Sequence, residues 1–392
     1  MRYVAEGRLE NTSSAFSDHI DRCLGCRACE QVCPAGVEYG SLLEVSRAEL
    51  LQAQPKNDFS NRLLRLVLRH LWLSPTRLRM FFGASRLFRD LGLANLLLKS
   101  GLVKLISLQA QFGLTLLESS RASLSPSNQV VATTGIKTEQ PPESVLLFSG
   151  CVGEGLFARV NRATTRVLRA NGFLVETPAD QVCCGALHAH AGDLDGAKKL
   201  ARQNIKAFEQ GGPIITNAGG CGAMLVSYAH LFANDDELVI AATEFTSRVR
   251  DVSQQLQTCS IRVGDEVRDE RVTYDASCHL MYGQKASEAS LKMLQSIPGL
   301  NFINLEGADR CCGGAGIYNL LQPELSSQVL DEKISNIRNT KAEVLATGNP
   351  GCQMQIGAGA CQAGLNFRVC HPIELVDESY AKAGFYSEDK DR

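Results

Sequence analysis

Between Ser144 and Cys352 the sequence states one pattern twice. The first copy reads VLLFSG, Cys151, LFARVNRATTRVLRANG, FLVET, ADQVCCG, LDGAKKLARQNIKAFEQG, PIIT, NAGGCG. The second reads RVTYDAS, Cys278, EASLKMLQSI, NFINLEG, ADRCCGG, PELSSQVLDEKISNIRN, AEVLAT, GNPGC. Cys151 and Cys278 lie 127 residues apart, Cys183 and Cys311 128, Cys184 and Cys312 128, and Cys221 and Cys352 131. So regular an offset marks a duplicated unit. Short apolar runs alternating with helical periods require a parallel sheet covered by helices and joined by right-handed crossovers. The predicted fold class is α/β, with tandem parallel units over 144–250 and 270–380.

In each copy the cysteines fall where a strand ends and a helix begins. Those junctions form the carboxyl edge of a parallel sheet, the edge at which open α/β sheets bind ligands. Cys151, Cys183, Cys184 and Cys221 should therefore converge, and so should Cys278, Cys311, Cys312 and Cys352. A cubane [4Fe–4S] cluster needs four thiolates, and each copy supplies four. Glycines such as Gly185, Gly220, Gly313 and Gly314 let backbone N–H groups approach sulfur. Vicinal cysteines are often simply buried, but two sets in register favour metal. Zinc is the weaker choice, because its usual C-x2-C pairs are missing from the repeats.

Ahead of the repeats stands DRCLGCRACEQVCPAG, residues 21–36, which reads C-x2-C-x2-C-x3-C-P. That spacing holds iron–sulfur clusters in bacterial ferredoxins, and in two-cluster forms the fourth cysteine serves the other cluster. Cys23, Cys26, Cys29 and Cys33 are thus candidate ligands in an N-terminal α-helical, ferredoxin-like module over 1–50, closed by the helical SLLEVSRAELLQ. Residues 51–118 read as basic amphipathic helices broken at SPTR and at Gly83, and 119–143 as a Ser/Thr/Pro-rich linker.

Charge is unevenly spread. The net charge is -2, yet 61–104 carries nine Lys or Arg against one acid, Asp90. Such a segment could dock on an acidic partner or on an anionic membrane face, with Arg62, Arg65 and Arg69 as contacts. Its apolar runs fall short of the roughly 18–20 residues a span requires. Fifteen cysteines is an odd number, and MRYVAEGRLENTSS has no apolar core behind a basic start. Metal or redox chemistry in a reducing cytoplasm is expected rather than disulfides, with the chain at most peripheral on the inner membrane.

Other candidates have plainer explanations. Cys259, Cys361 and Cys370 lie outside the sets, and His371, His279, His188 and His190 read as packed or solvated imidazoles. Gly153-Glu154-Gly155-Leu156-Phe157-Ala158 matches G-x-G-x-x-A, with Glu176 about 20 residues on. Cys151 occupies that loop, however, and the second copy has no such glycines. No other nucleotide or flavin fingerprint, nucleic-acid motif or catalytic triad is present. Several clusters without an organic cofactor describe a relay of single electrons for a partner that does the substrate chemistry.

HIDRCLGCRACEQVCPAGVEYGSLLEVSRAEL, NAGGCGAM, CCGGAGIYNLLQPEL, NPGCQMQI and CHPIELVD together resemble the iron–sulfur subunit family of bacterial glycolate oxidase (glycolate dehydrogenase). The repeat resembles the cysteine-rich CCG domain shared with heterodisulfide reductases, anaerobic glycerol-3-phosphate dehydrogenases and lactate-utilisation proteins. The resemblance implies a complex in which FAD-binding subunits oxidise glycolate to glyoxylate and this subunit passes electrons towards membrane quinone. It also implies ferredoxin-type ligation by Cys23, Cys26, Cys29 and Cys33, and cluster sites at the eight repeat cysteines. Family members have two ferredoxin runs and this chain has one, with RYVAEGRLE resembling the segment between them. Cys33 would then serve a second cluster, unless the four local cysteines share one. Heterodisulfide reductases have a further cysteine where this chain has Met224 and Gln355, which counts against a thiol–disulfide reductase. The same motifs also admit a D-lactate or glycerol-3-phosphate dehydrogenase subunit, and the cysteines a zinc-bearing scaffold.

Overall fold

The computed structural model describes residues 1–53, 59–121, 132–133, 143–267 and 269–387. Most of the linker predicted at 119–143 lies outside the described residues.

The N-terminal part is helical. Helix α1 (Ser14–Arg22) is capped by Ser13, whose Oγ accepts the Phe16 N–H, and ends at Cys23. Its buried Phe16 and Ile20 pack on Leu43 of α2 (Tyr39–Ala53). Helix α3 (Phe59–Val67) runs into a wider turn over Leu68–Trp72. Then come α4 (Pro75–Asp90), α5 (Leu93–Ser100), α6 (Leu102–Ile106) and α7 (Leu108–Ser119). The break at SPTR is real, with Pro75 opening α4. Gly83, by contrast, lies inside α4 in open surroundings, where a glycine costs only about 1 kcal/mol. The breaks come instead at Gly92 and Gly101, whose φ angles of 77° and 70° a side chain would disfavour.

Each repeat then builds a four-stranded parallel sheet. Strands β1 (Ser144–Leu147), β2 (Leu174–Glu176), β3 (Ile214–Thr216) and β4 (Val249–Asp251) lie in the order β2-β1-β3-β4. Strands β5 (Val272–Asp275), β6 (Phe302–Ile303), β7 (Val344–Thr347) and β8 (Arg368–Cys370) repeat it as β6-β5-β7-β8. Every pairing within these two sheets is parallel. The inner strands are buried on both faces, which is why they read as apolar runs rather than as alternations.

Six helices place the chemistry: α8 (Cys151–Leu156), α9 (Ala158–Ala170), α10 (Gly219–Leu225), α11 (Pro323–Thr340), α12 (Pro350–Gln362) and α13 (Pro372–Lys382). The repeats do not close separately. One core cluster takes Val145, Leu147 and Ile215 from the first sheet and Val272, Tyr274 and Val344 from the second. Helix α13 of the second repeat packs on α9 of the first, with Arg159 paired to Glu374 at 2.9 Å and Arg166 to Asp377 at 2.5 Å. At the carboxyl edges Gly219 N–H donates to Gly348 O at 2.9 Å, and Gly220 N–H to Asn349 Oδ1 at 3.1 Å. The two carboxyl edges thus become one surface.

Candidate metal centres

In the first repeat, three loops deliver four thiols to the same place. Cys151 opens α8 after β1, Cys183 and Cys184 follow β2, and Cys221 lies in α10 after β3. Cys151 Sγ is 3.4 Å from Cys183 Sγ, and the contacts run on from Cys183 to Cys184 and from Cys184 to Cys221. The second repeat repeats the series: Cys278 Sγ lies 3.9 Å from Cys311 Sγ, then Cys311 meets Cys312 and Cys312 meets Cys352. Among the described residues, no group of three His, Cys, Asp or Glu is placed to hold a single metal ion.

The surroundings are those of thiolates. Gly313 N–H donates to Cys311 Sγ at 3.4 Å, and Asn349 Nδ2 to Cys352 Sγ at 3.3 Å. Trp72 Nε1 is buried without an oxygen or nitrogen acceptor and faces Cys151, whose sulfur it can serve. Gly150 and Gly314 keep space beside sulfur: a Cβ there would sit 3.5 Å from Cys221 Sγ or Cys312 Sγ. Several of the thiols are pushed up. Cys151 is raised well above the usual range by its hydrogen bond with Cys183 and then by burial, and Cys352 likewise by Cys312 and burial. Four sulfurs so crowded ionise together only around a cationic core. Donor set, N–H groups and glycine cradle fit an iron–sulfur group.

A buried ion pair, missed by the sequence reading, lies beneath the second set. Lys333 Nζ, on α11, is 2.7 Å from Asp275 Oδ1, and both side chains are 1% exposed. Lys333 also donates to Gly307 O at 2.6 Å, and Thr347 Oγ1 donates to Asp275 Oδ2 at 2.8 Å. Its signal was present: Lys333 falls in phase with the buried Leu330, Ile334 and Ile337. In the first repeat Gly185 packs on Ala197 as Gly313 packs on Ser326. Seven residues beyond those contacts stand Asn204 and Lys333. Asn204 Nδ2 donates to Cys183 O and to Tyr228 Oη, each at 3.0 Å, and Tyr228 Oη donates to Cys184 O at 2.8 Å.

The N-terminal cysteine loop is seated across both edges. Gly25 O meets His279 Nε2 at 3.1 Å, Arg22 O accepts from Tyr318 Oη at 2.8 Å, and Arg47 donates to Cys23 O at 2.7 Å and His190 O at 3.1 Å. Gly192 touches the α2 backbone so closely that a Cβ would lie 2.6 Å from Arg47 O. Cys26 is raised by burial and then by Cys23 and Cys29, whereas Cys33 is lowered by backbone N–H groups of Val37 and Ala35. Cys26 and Cys311 line one cavity of 320 Å³. A second cavity, of 530 Å³, opens beside Cys151 and Cys183 under α4.

The remaining candidates have structural places. Phe82 of α4 packs where a Gly155 Cβ would be, so the dinucleotide-like glycines admit a helix. His371 Nδ1 caps α13 by accepting the Ile373 N–H, and His188 Nδ1 pairs with Asp193 at 2.7 Å. Cys370 is buried in the shared core, Cys259 packs against its margin and Cys361 is exposed on α12. Met224 is buried in the first repeat's core, and Gln355 bonds Asn319 and Ser326.

The cysteine-rich domain family CCG matches residues 145–226 and 272–357, the two thiol-bearing repeats. The probable glycolate oxidase iron-sulfur subunit of Bacillus subtilis (strain 168) is 35% identical over 391 residues, spanning 98% of this chain and 86% of that protein. This chain belongs to the glycolate oxidase iron–sulfur subunit family. The glycolate oxidase iron-sulfur subunit of Escherichia coli (strain K12) is 29% identical over 97% of the chain and 86% of its own length. Lactate utilization protein A of Oceanobacillus iheyensis is 33% identical over 59% of the chain and 96% of its own length. Membership makes the chain an iron–sulfur protein. Among the described residues no helix is long and apolar enough to cross a membrane.

Proposed function

We propose that this chain is the electron-transfer subunit of a glycolate dehydrogenase complex. It takes electrons from FAD-binding subunits that oxidise glycolate to glyoxylate and hands them towards a quinone, without turning over substrate itself. The match to lactate utilization protein A keeps D-lactate as the second upstream substrate. In this reading Cys23, Cys26, Cys29 and Cys33 hold a ferredoxin-type [4Fe–4S] group within module 1–50. Cys151, Cys183, Cys184 and Cys221 hold a second within 144–250, and Cys278, Cys311, Cys312 and Cys352 a third within 270–380. When bound, such groups accept and release one electron at a time. The chain's residues keep water from the buried thiols, aim N–H groups at sulfur and place a cation, Lys333, under one set.

One observation carries the proposal: the N-terminal cysteine loop lies across the joined sheet edges, with Cys26 and Cys311 on a common cavity. Iron and acid-labile sulfide per chain, on anaerobically purified protein with EPR after dithionite reduction, test it. Three cubanes give about twelve irons per chain. Zinc without labile sulfide would overturn the relay in favour of a scaffold, and disulfide turnover by the isolated chain would favour a reductase.

A further inference from the structure

Of the twenty large apolar side chains exposed among the described residues, eleven lie between Leu63 and Leu108. They concentrate on α4, α5 and α6, a layer of helices in contact with one another. On α4 the division between faces is clear. Pro75, Leu78, Arg79, Phe82 and Arg86 line the cavity beside Cys151, while Met80, Leu87 and Leu91, at the end of the helix, point away and are 61–71% exposed. Leu96 on α5 is 65% exposed and Leu105 on α6 is 84% exposed. Arg77, Lys99 and Lys104 accompany them, and Asp90, the one acid of 61–104, is paired with Arg89.

We infer that the outward face of α4, α5 and α6 lies in the headgroup region of an anionic lipid bilayer. Helices that do so combine an apolar face with flanking Lys and Arg and need no span. The near absence of acids suits a negative surface and disfavours a basic protein partner. Composition separates lipid from protein as well. Nine of the eleven exposed side chains are leucine, a residue under-represented at the energetic centres of protein interfaces, where Trp, Tyr and Arg dominate. The breaks at Gly92 and Gly101 turn the segment into short helices that can lie along a surface. Such seating differs from a contact at Arg62, Arg65 and Arg69, on α3 and the turn after it. Helix α3 packs against the helix Tyr318–Leu321, and Arg69 lies near Asp193, whose pKa its charge helps to lower. Helices α4 and α7 moor the layer to the repeats, Phe82 lying over Gly155 and Ser119 Oγ donating to Met354 O at 3.0 Å. Membrane seating goes beyond the relay reading and does not depend on it.

The test is sedimentation of the full-length protein with phosphatidylcholine vesicles, with and without phosphatidylglycerol, at low and high salt. Wild type should bind the phosphatidylglycerol vesicles, with affinity falling as salt rises. The Met80→Glu, Leu87→Glu, Leu96→Glu triple variant should abolish binding, and Lys99→Glu, Lys104→Glu should weaken it about tenfold or more. Unchanged circular dichroism and iron content would show that the variants are folded and that the relay reading is untouched. If the triple variant fails to fold, the lysine variant and the salt dependence decide. No vesicle binding by wild type, or equal binding by the folded variants, overturns the inference. So does a variant that keeps vesicle binding but loses self-association in sedimentation velocity, or loses its flavin-bearing partners: the face would then be a protein interface.

Discussion

The two repeats share a strand order and a cysteine pattern, yet their thiol sets sit in different shells. Beneath the first lie neutral groups, Asn204 and Tyr228, and beside it a cavity of 530 Å³ opens under α4. Beneath the second lies a buried ion pair, and the N-terminal cysteine loop stands over it at Cys26. Duplication fixed the thiols, and the positions around them diverged. Shell charge, hydrogen bonding and solvent access are what tune an iron–sulfur potential, so one scaffold can hold two unlike centres. All four thiols of the second set are buried beside another cysteine loop, whereas Cys151 and Cys221 of the first are partly exposed.

Lys333 gives the largest test of that difference. Lys333→Met strands Asp275 in the interior, and breaking a buried pair this way costs about 3–5 kcal/mol in denaturant unfolding. Replacing both partners, Lys333→Met with Asp275→Leu, should recover most of the loss. If the single variant proves neutral, the ion pair is not what distinguishes the second shell.

The fourth strands end in helix caps of opposite titration behaviour. Asp251 caps the helix Val252–Leu256, and burial raises its carboxyl to about 6; His371 caps α13, and burial lowers its imidazole to about 3. For Asp251 the folded state binds the proton more tightly, so its contribution to stability falls as pH rises from about 4 to about 6. For His371 the unfolded state binds the proton more tightly, so its contribution rises with pH from about 3 to about 6.5. Between pH 4 and 6 the two oppose each other. Asp251→Asn keeps the cap and removes one slope, so the variant should gain on wild type by up to roughly 3 kcal/mol between pH 4 and pH 7. Urea unfolding at the two pH values measures this, and a constant difference would mean that Asp251 does not titrate in the folded protein.

A smaller effect is expected from the neutral shell. Asn204→Leu leaves Cys183 O and the Val182 N–H without their side-chain partner, costing about 1–3 kcal/mol. Its loss should be smaller than that of Lys333→Met, and the reverse order would make the first shell the more demanding one.

Much of this architecture could be read from the chain. Strands such as VLLF and VTYD, too short and apolar for anything but buried parallel strands, announced the two sheets, and the loops after them announced the cysteine edge. Helix breaks were harder: Gly83 and Gly92 look alike in sequence, and only the backbone shows that one continues a helix while the other turns it. The shared core was also hidden, because an apolar face does not reveal whether it packs within its own repeat or against α13 of the next. Lys333 was visible only as a charge on the apolar stripe of a helix.

Periodicity and spacing are local properties of the chain, and they alone carried the repeat, its parallel α/β class and the twelve cysteines at strand ends and in the N-terminal run. That the two edges face each other, that the N-terminal loop spans them and that one thiol set lies over Lys333 and Asp275 emerges only in the folded chain. Those facts depend on contacts between residues as distant as Gly25 and His279, and no local pattern encodes such a pairing.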